Sequence, residues 1–461
     1  MNIISQVVEK DRCIGCGVCV GICPRRALTM GLDADGNLVA QGAGDCADPC
    51  GLCIQACPFA DGLHHPRELN GELYGPAAQP GAVLEPAVGW HLGAGVGYST
   101  VDGHRERGAS GGLATWYLEE LLRQKRVDRV AVVRRSVRGD ERLFRFRAAS
   151  TVDEVRDAAG SAYYPVSIDD ILRRLDVESG ARWAIVGVPC LLAGVRRAMR
   201  LQPARFAGIL HLVGLACGTL PNSCYTELLV AKSGVRLREA ADLRYRCRPL
   251  SPQAGNYRFV AWDSSGRTGA GIPYSGLPDY VSRTGLFRCN PCNFCADLFA
   301  EAAEICFMDA WLEEYRGIVE GTSIFVSRSA EAAALIEEGR RRGALAVEAI
   351  DAAQVRRSQQ GQVWRKQVLI ALRTPRPDVS PLGVAPLTGV LGRADWWLQR
   401  RALKRSKSAW RRFGRPMGGF FFWTAILDLI LARGVLDLVG RCRRIVKTAP
   451  GRRRQERGDS Q

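Results

Sequence analysis

The sequence predicts a small cysteine-rich α+β unit at the N-terminus, then a larger mixed α/β domain, then a helical and basic C-terminal region. Three observations lead there. Eight of the seventeen cysteines fall within the first sixty residues, in two runs each closed by a proline. Two later apolar runs each end at a cysteine and pass into a helical pattern, the strand–turn–helix rhythm of a buried sheet. Most of the net positive charge gathers at the end of the chain.

The first run, Cys13, Cys16, Cys19 and Cys23 before Pro24, has the order C-x2-C-x2-C-x3-C, the spacing of bacterial two-cluster ferredoxins. Such a loop folds three soft thiolates onto one cubane cluster and sends the fourth to its neighbour. The second run, Cys46, Cys50, Cys53 and Cys57 before Pro58, carries one extra residue between its first two cysteines. The expected ligand sets are therefore Cys13, Cys16, Cys19 and Cys57 for one 4Fe-4S cluster, and Cys46, Cys50, Cys53 and Cys23 for the other. A structural zinc site built from two C-x2-C pairs would leave four of these thiols idle.

A chain of 461 residues is far longer than two clusters need. Its 47% hydrophobic content describes a globular protein with a sizeable core. The N-terminal MNIISQVVEK is no apolar signal segment, and the cysteines are spaced as cluster ligands rather than disulfides, so a cytoplasmic protein is expected. The formal charge is +17, but residues 401–461 hold sixteen Lys and Arg against four Asp and Glu. Such a tail suits a membrane surface, an acidic partner or plain solvation. No nucleic-acid-binding motif accompanies it, so nucleic acid is not an expected partner.

Residues 61–94, rich in Gly and Pro, read as a surface connector, with His64 and His65 solvated. Gly93, Gly95 and Gly97 imitate a dinucleotide fingerprint but lack its third glycine and its helix. A helix is expected over Leu113 to Lys125, with Ser110 as a candidate N-cap and Gly111 and Gly112 giving a ligand access to backbone N–H groups. Such an N-terminus favours an anion such as a flavin diphosphate, though a capped structural helix has the same pattern. Val127 to Val133 reads as a strand, and AAGSAYYPVS (residues 158–167) as a turn after a helix.

The apolar run Trp183 to Val188 ends at Pro189 and Cys190, and the run Ile209 to Ala216 ends at Cys217. In open α/β sheets, ligands gather at the carboxyl ends of strands, where both cysteines lie. One such cysteine alone is usually a core residue. Further on, Cys289, Cys292 and Cys295 keep C-x2-C-x2-C but lack the fourth cysteine and the proline. The strand-end thiols complete the set: a third 4Fe-4S cluster is expected on Cys190, Cys217, Cys292 and Cys295, with Cys289 as substitute ligand and zinc on the same thiolates as the alternative. Cys224, Cys247, Cys306 and Cys442 read as ordinary thiols. Phe420 to Val439 is long enough to span a bilayer, yet contains Asp428, Arg433 and Asp437. It reads either as a helix lying on an anionic membrane surface or as a core or partner-binding helix.

The stretches SGGLATWYLEELL, GSAYYPVS, VGVPC, GLACG and CNFCADLFAEAAEICFMDAW, in this order, resemble the family of coenzyme F420 hydrogenase/dehydrogenase beta subunits. The resemblance implies FAD and a 4Fe-4S cluster on the residues matching Cys190, Cys217, Cys292 and Cys295. It makes Ser110, Gly111, Gly112, Thr115, Ser161 and Tyr163 the expected flavin contacts. It also implies a division into 1–60 (two clusters), 61–94 (connector), 95–175 and 176–350 (the two parts of the flavin and iron–sulfur domain) and 351–461 (helical, basic). The sequence departs from the family at Leu191, after Cys190, and at Cys306-Phe307-Met308 before Asp309, which bears on the hydride-exchanging partner. The implied activity is electron transfer between coenzyme F420 and one-electron carriers, with a ferredoxin or another redox protein as partner. The alternatives are a ferredoxin-dependent flavin enzyme acting on an organic small molecule, and a relay subunit of a larger redox complex docked through its basic end. No catalytic acid or base is singled out, because flavin and clusters carry the chemistry.

Overall fold

The computed structural model describes residues 2–44, 46, 50–62, 64–136, 140–248, 257–374, 389–414, 423–432 and 434. In the N-terminal unit each cysteine run leads into a short helix, Val18–Ile22 and Leu52–Gln55. Between them an antiparallel hairpin pairs β1 (Leu28–Leu32) with β2 (Leu38–Gly42). Asp33 shapes its turn by accepting the N–H groups of Asp35 and Asn37 at 2.9 and 2.8 Å. Val18, Ile22 and Ala56 are buried in one cluster with Ile168, Ile171, Leu172, Leu191 and Val195 of the larger domain. The Ile168 N–H donates to the Cys16 carbonyl at 2.9 Å, so this unit is docked through backbone as well as apolar contact.

Residues 61–94 are no loose connector. They form a helix, Arg67–Tyr74, and a hairpin of β3 (Val83–Glu85) and β4 (Gly89–His91). His64 is buried, not solvated, and its backbone pairs with Phe294 and Ala296. Asn70 is fully buried: its amide donates to the Glu301 carbonyl at 2.9 Å, and its Oδ1 accepts from the Trp90 N–H at 2.7 Å. The Gly- and Pro-rich composition reflects tight turns in a strap, because buried polar groups of this kind must all find partners. Asn70→Ala leaves both strap groups unsatisfied and is expected to destabilise the protein by about 1–3 kcal/mol in denaturant unfolding.

The main sheet has eight strands. In chain order they are β5 (Gly93–Ser99), β6 (Arg129–Arg135), β7 (Phe144–Ala149), β8 (Trp183–Gly187) and β9 (Ile209–Leu215). After the separate antiparallel sheet of β10 (Ala240–Cys247), β11 (Arg258–Asp263) and β12 (Ile272–Pro273) come β13 (Ile305–Asp309), β14 (Ser323–Ser327) and β15 (Leu345–Ile350). The spatial order is β15-β5-β14-β13-β9-β8-β6-β7. The four central strands, β13, β9, β8 and β6, are mutually parallel, as the continuous apolar runs predict. Both flanks are antiparallel, so the sheet is mixed rather than parallel throughout. The glycines of β5 serve sheet packing. A Cβ on Gly97 would stand 2.0 Å from the Ala346 carbonyl oxygen.

The helix Leu113–Arg123 covers one face together with Ala330–Arg341, and Pro189–Leu201 covers the other. Its Glu119, which the helical periodicity puts among the polar positions, is buried, where it accepts from His104 Nε2 at 2.9 Å and Arg156 Nε at 2.8 Å. A buried carboxylate persists when it is paired in this way. The helix Gly389–Ala409 packs Leu398 and Ala402 into the cluster around Leu228 and Phe287. Of the candidate membrane-surface helix, the described residues 423–432 turn Ile426 and Leu429 into that same cluster and expose Leu427 and Leu431. Apart from Gly434, the rest of that stretch, and Cys442, lie outside the described residues. Among the described residues no helix is long and apolar enough to cross a membrane.

Candidate functional site

A cavity of about 640 Å³ opens at the carboxyl ends of the parallel strands β8, β9 and β13. This is the size range of small-molecule and cofactor sites. One wall is the start of the helix Leu113–Arg123. Its cap residue is Gly112, at φ +77°, and no side chain caps it. The Ser110 hydroxyl, the expected cap, donates instead to the Thr322 carbonyl at 2.7 Å. The first N–H groups of the helix therefore remain for a ligand, with the positive end of the helix dipole behind them.

Ser110, Gly112, Thr115, Ser161 and Tyr163 all line this cavity. Gly111 does not. Its N–H donates to Ser323 Oγ at 2.9 Å, which ties the loop to the end of β14. Beside that loop stands Arg246, a residue with no local motif to announce it, which donates to the Ala109 carbonyl at 3.3 Å. Its guanidinium meets both Asp309 oxygens at 3.0 and 2.9 Å and lies 5.0 and 5.6 Å from the ring centres of Tyr257 and Tyr163. Burial opposes its charge, but Asp309 together with Tyr163, Tyr257 and Tyr274 outweighs this and keeps it a cation. Its Nε has no hydrogen-bond partner among the described residues. The cavity thus combines anion-binding donors, a buried cation beside the same loop and apolar walls from Leu113, Val132 and Phe146.

Cys190 and Cys217 line the same cavity, and so does Cys16 of the N-terminal unit. Burial pushes the Cys190 thiol well up, and Cys295, Cys217, Cys292 and Cys16 push it further. Burial likewise raises Cys217 to about 11 and Cys295 to about 12, each against the pull of Lys366. The Leu220 N–H donates to Cys292 Sγ at 3.3 Å. Cys289 is buried too, but beyond Cys292 its charged surroundings are Lys407, Asp11 and Asp33. The structure therefore brings Cys190, Cys217, Cys292 and Cys295 within electrostatic reach of one another, and buries Cys289 in the same cluster as Cys190 and Cys295, where Lys407, Asp11 and Asp33 also act on it.

In the N-terminal unit, burial raises Cys16, Cys19 and Cys57, the last to about 12, and the thiols of Cys13, Cys16, Cys19 and Cys57 act on one another. Cys53, half-buried, feels Cys46 and Cys23, while Cys46 and Cys50 are exposed. Thiols held up in this way bind soft metal with release of protons. Among the described residues no three His, Cys, Asp or Glu side chains converge as the ligands of a single ion do. Of the remaining cysteines, Cys224 donates to the Asp35 carbonyl at 3.4 Å, Cys306 is buried in the core and Cys247 is half-buried.

Residues 95–173 match the model of the N-terminal part of the coenzyme F420 hydrogenase/dehydrogenase beta subunit, and residues 180–353 that of its C-terminal part. The chain belongs to this family. Residues 12–60 match a 4Fe-4S dicluster domain, so this member carries an iron–sulfur electron-transfer unit ahead of the beta-subunit domain. The chain is 22% identical to one of the subunits of the F420H2 dehydrogenase of Methanosarcina mazei, over 66% of its own length and 76% of the relative's. It is 22% identical to the coenzyme F420-dependent sulfite reductase of Methanocaldococcus jannaschii over 46% of its length, which is 32% of that protein. A solved chain of the F420-reducing NiFe hydrogenase complex of Methanosarcina barkeri aligns with a TM-score of 0.47 and 16% identity, covering 62% of this chain and 93% of the other. These family matches make this beta-subunit relative an iron–sulfur protein of oxidoreductase type.

Proposed function

We propose that this protein transfers electrons between coenzyme F420 and one-electron carriers, with FAD in the cavity and three 4Fe-4S clusters leading from it. The observation that carries this reading is the shared wall: Cys190, Cys217 and Cys16 border the same cavity as Ser110, Gly112, Thr115, Ser161 and Tyr163. When bound, a flavin supplies the exchange between two-electron hydride chemistry and single-electron transfer.

The residues of this chain would then divide the work. The open N-terminus at Gly112 and Thr115 holds the anionic diphosphate. Tyr163 and Arg246 flank the ring system, and Asp309 keeps Arg246 charged and fixed. Leu113, Val132 and Phe146 exclude water from the cavity floor. Cys190, Cys217, Cys292 and Cys295 hold the inner cluster; Cys13, Cys16, Cys19 and Cys57 hold the next; Cys46, Cys50, Cys53 and Cys23 hold the outermost. Cys16 stands beside Cys190, so the inner and middle clusters adjoin, and the exposed Cys46 and Cys50 put the outermost within reach of a ferredoxin or another redox protein.

The test is anaerobic oxidation of reduced F420 with an artificial one-electron acceptor, using protein with its iron counted. Turnover that requires FAD, at about twelve irons per chain, is the expected result. A stable count near eight irons removes the inner cluster. No turnover with FAD and all irons in place directs the activity to an organic substrate reduced at the expense of ferredoxin, or to a relay role.

A further inference from the structure

Lys366 lies beyond the family-matched residues, in a segment where the helix Gln360–Val363 widens into a π-turn, Trp364–Val368. Such turns insert an extra residue into a helix and often mark functional positions. Here the turn leaves Trp364 exposed and drives Lys366 inward, to 3% exposure. Its ammonium donates to the Cys217 carbonyl at 2.9 Å and to the Asp297 carbonyl. It is thus bound to the backbone of the two segments that carry Cys217 and Cys295.

A buried ammonium without a countercharge is costly, and backbone carbonyls only partly compensate. The carboxylate that acts on it is that of Asp297, which is 3.6 Å from His64 Nε2 and close to the N–H of Glu301. Among the charges acting on Cys217 and Cys295, Lys366 is the strongest and exceeds Asp297 at both. A set of four thiolates around an iron–sulfur core supplies the missing negative charge, and reduction adds one unit more. In a low-dielectric interior a fixed cation favours that more negative state.

We propose that Lys366 is a positioning residue that raises the reduction potential of the cluster held by Cys190, Cys217, Cys292 and Cys295, so that it readily accepts single electrons from the cavity. This rests on the reading of those cysteines as a cluster site. The cluster gains one electron from the reduced group in the cavity and passes one on; Lys366 remains an ammonium throughout and exchanges neither electron nor proton.

Dye-mediated redox titration followed by EPR on the anaerobic full-length protein tests this, with iron counted for every variant. The signal lost in Cys292→Ala identifies the cluster concerned. In Lys366→Met, with about twelve irons retained, the reduced-to-oxidised ratio at fixed potential is expected to fall at least about tenfold, equivalent to about 59 mV for a one-electron couple. Lys366→Arg, which keeps the charge, is expected to stay within a few-fold of the parent. If Lys366→Met loses iron, Lys366→Gln carries the comparison; loss of about four irons in both variants overturns the proposal in favour of a structural lysine. An unmoved potential at full iron content also overturns it and leaves the cluster reading intact. A parent protein with about eight irons, unchanged in Cys292→Ala, overturns the cluster reading itself, and this proposal with it.

Discussion

If the proposed function holds, Cys292→Ala is expected to take the protein from about twelve irons to about eight and to lower the proposed F420-linked reduction of a one-electron acceptor at least about a hundredfold. The fold should survive, because Cys292 is only partly buried and lies in the short 3-10 turn Asn290–Phe294 rather than in a strand of the main sheet. The irons of the N-terminal unit should be unaffected, since they depend on a different ligand set. Cys289→Ala provides the contrast. That thiol packs in the same cluster as Cys190 and Cys295 but also feels Lys407 and Asp11, and as the substitute rather than the expected ligand its loss should leave the iron content near the parent value. Iron and acid-labile sulfide analysis of the two variants, prepared in parallel, checks both outcomes. Equal losses would mean that Cys289 also ligates.

Gly97→Val is expected to abolish folding. The added Cβ alone would meet the Ala346 carbonyl oxygen at 2.0 Å and the Val347 Cα at 2.7 Å, both backbone atoms of β15 that cannot rotate away. Gly97 also pairs with Ser323 of β14, so the strand is held on both sides. Separating these strands forfeits ladder hydrogen bonds and core contacts together, a loss of at least about 4 kcal/mol. The damage would reach the cavity as well, because Ser99 at the end of β5 donates its N–H to the Gly111 carbonyl at 2.8 Å. Gly97→Ala should fail in the same way, and Gly93→Ala, where a Cβ meets nothing within 4 Å, should not. Yield of folded protein and the thermal unfolding midpoint distinguish the three.

The parts of this architecture that depend on local pattern are readable from sequence. Cysteine spacing marks the N-terminal unit because cluster ligation constrains short loops. The runs ending at Cys190 and Cys217 mark two parallel strands because strands buried on both faces are apolar throughout. What escapes depends on partners distant in the chain. Asn70 is explained by Glu301, 231 residues away, and Lys366 by Cys217, 149 residues away. Neither carries a local signature, so the strap over residues 61–94 resembles a loose linker. Gly111 and Gly112 look alike in sequence and differ in role: one is sealed against β14, the other opens the helix to the cavity. Arg246 is hidden in the same way, its place at the cavity fixed only when β10 meets Asp309 of β13.

Val18, Ile22 and Ala56 share a core with Leu172, Leu191 and Val195, and this constrains how the protein conducts. A tethered carrier domain must swing between donor and acceptor, so its rate depends on diffusion and tether length. Here the N-terminal unit is fused to the helices that back the cavity, so the spacing between thiol groups is set by packing. Throughput should therefore be insensitive to solvent viscosity up to the point where an external carrier docks. The same fusion means that residues 1–60 expressed alone would present to water the apolar face that Leu172 and Val195 now cover.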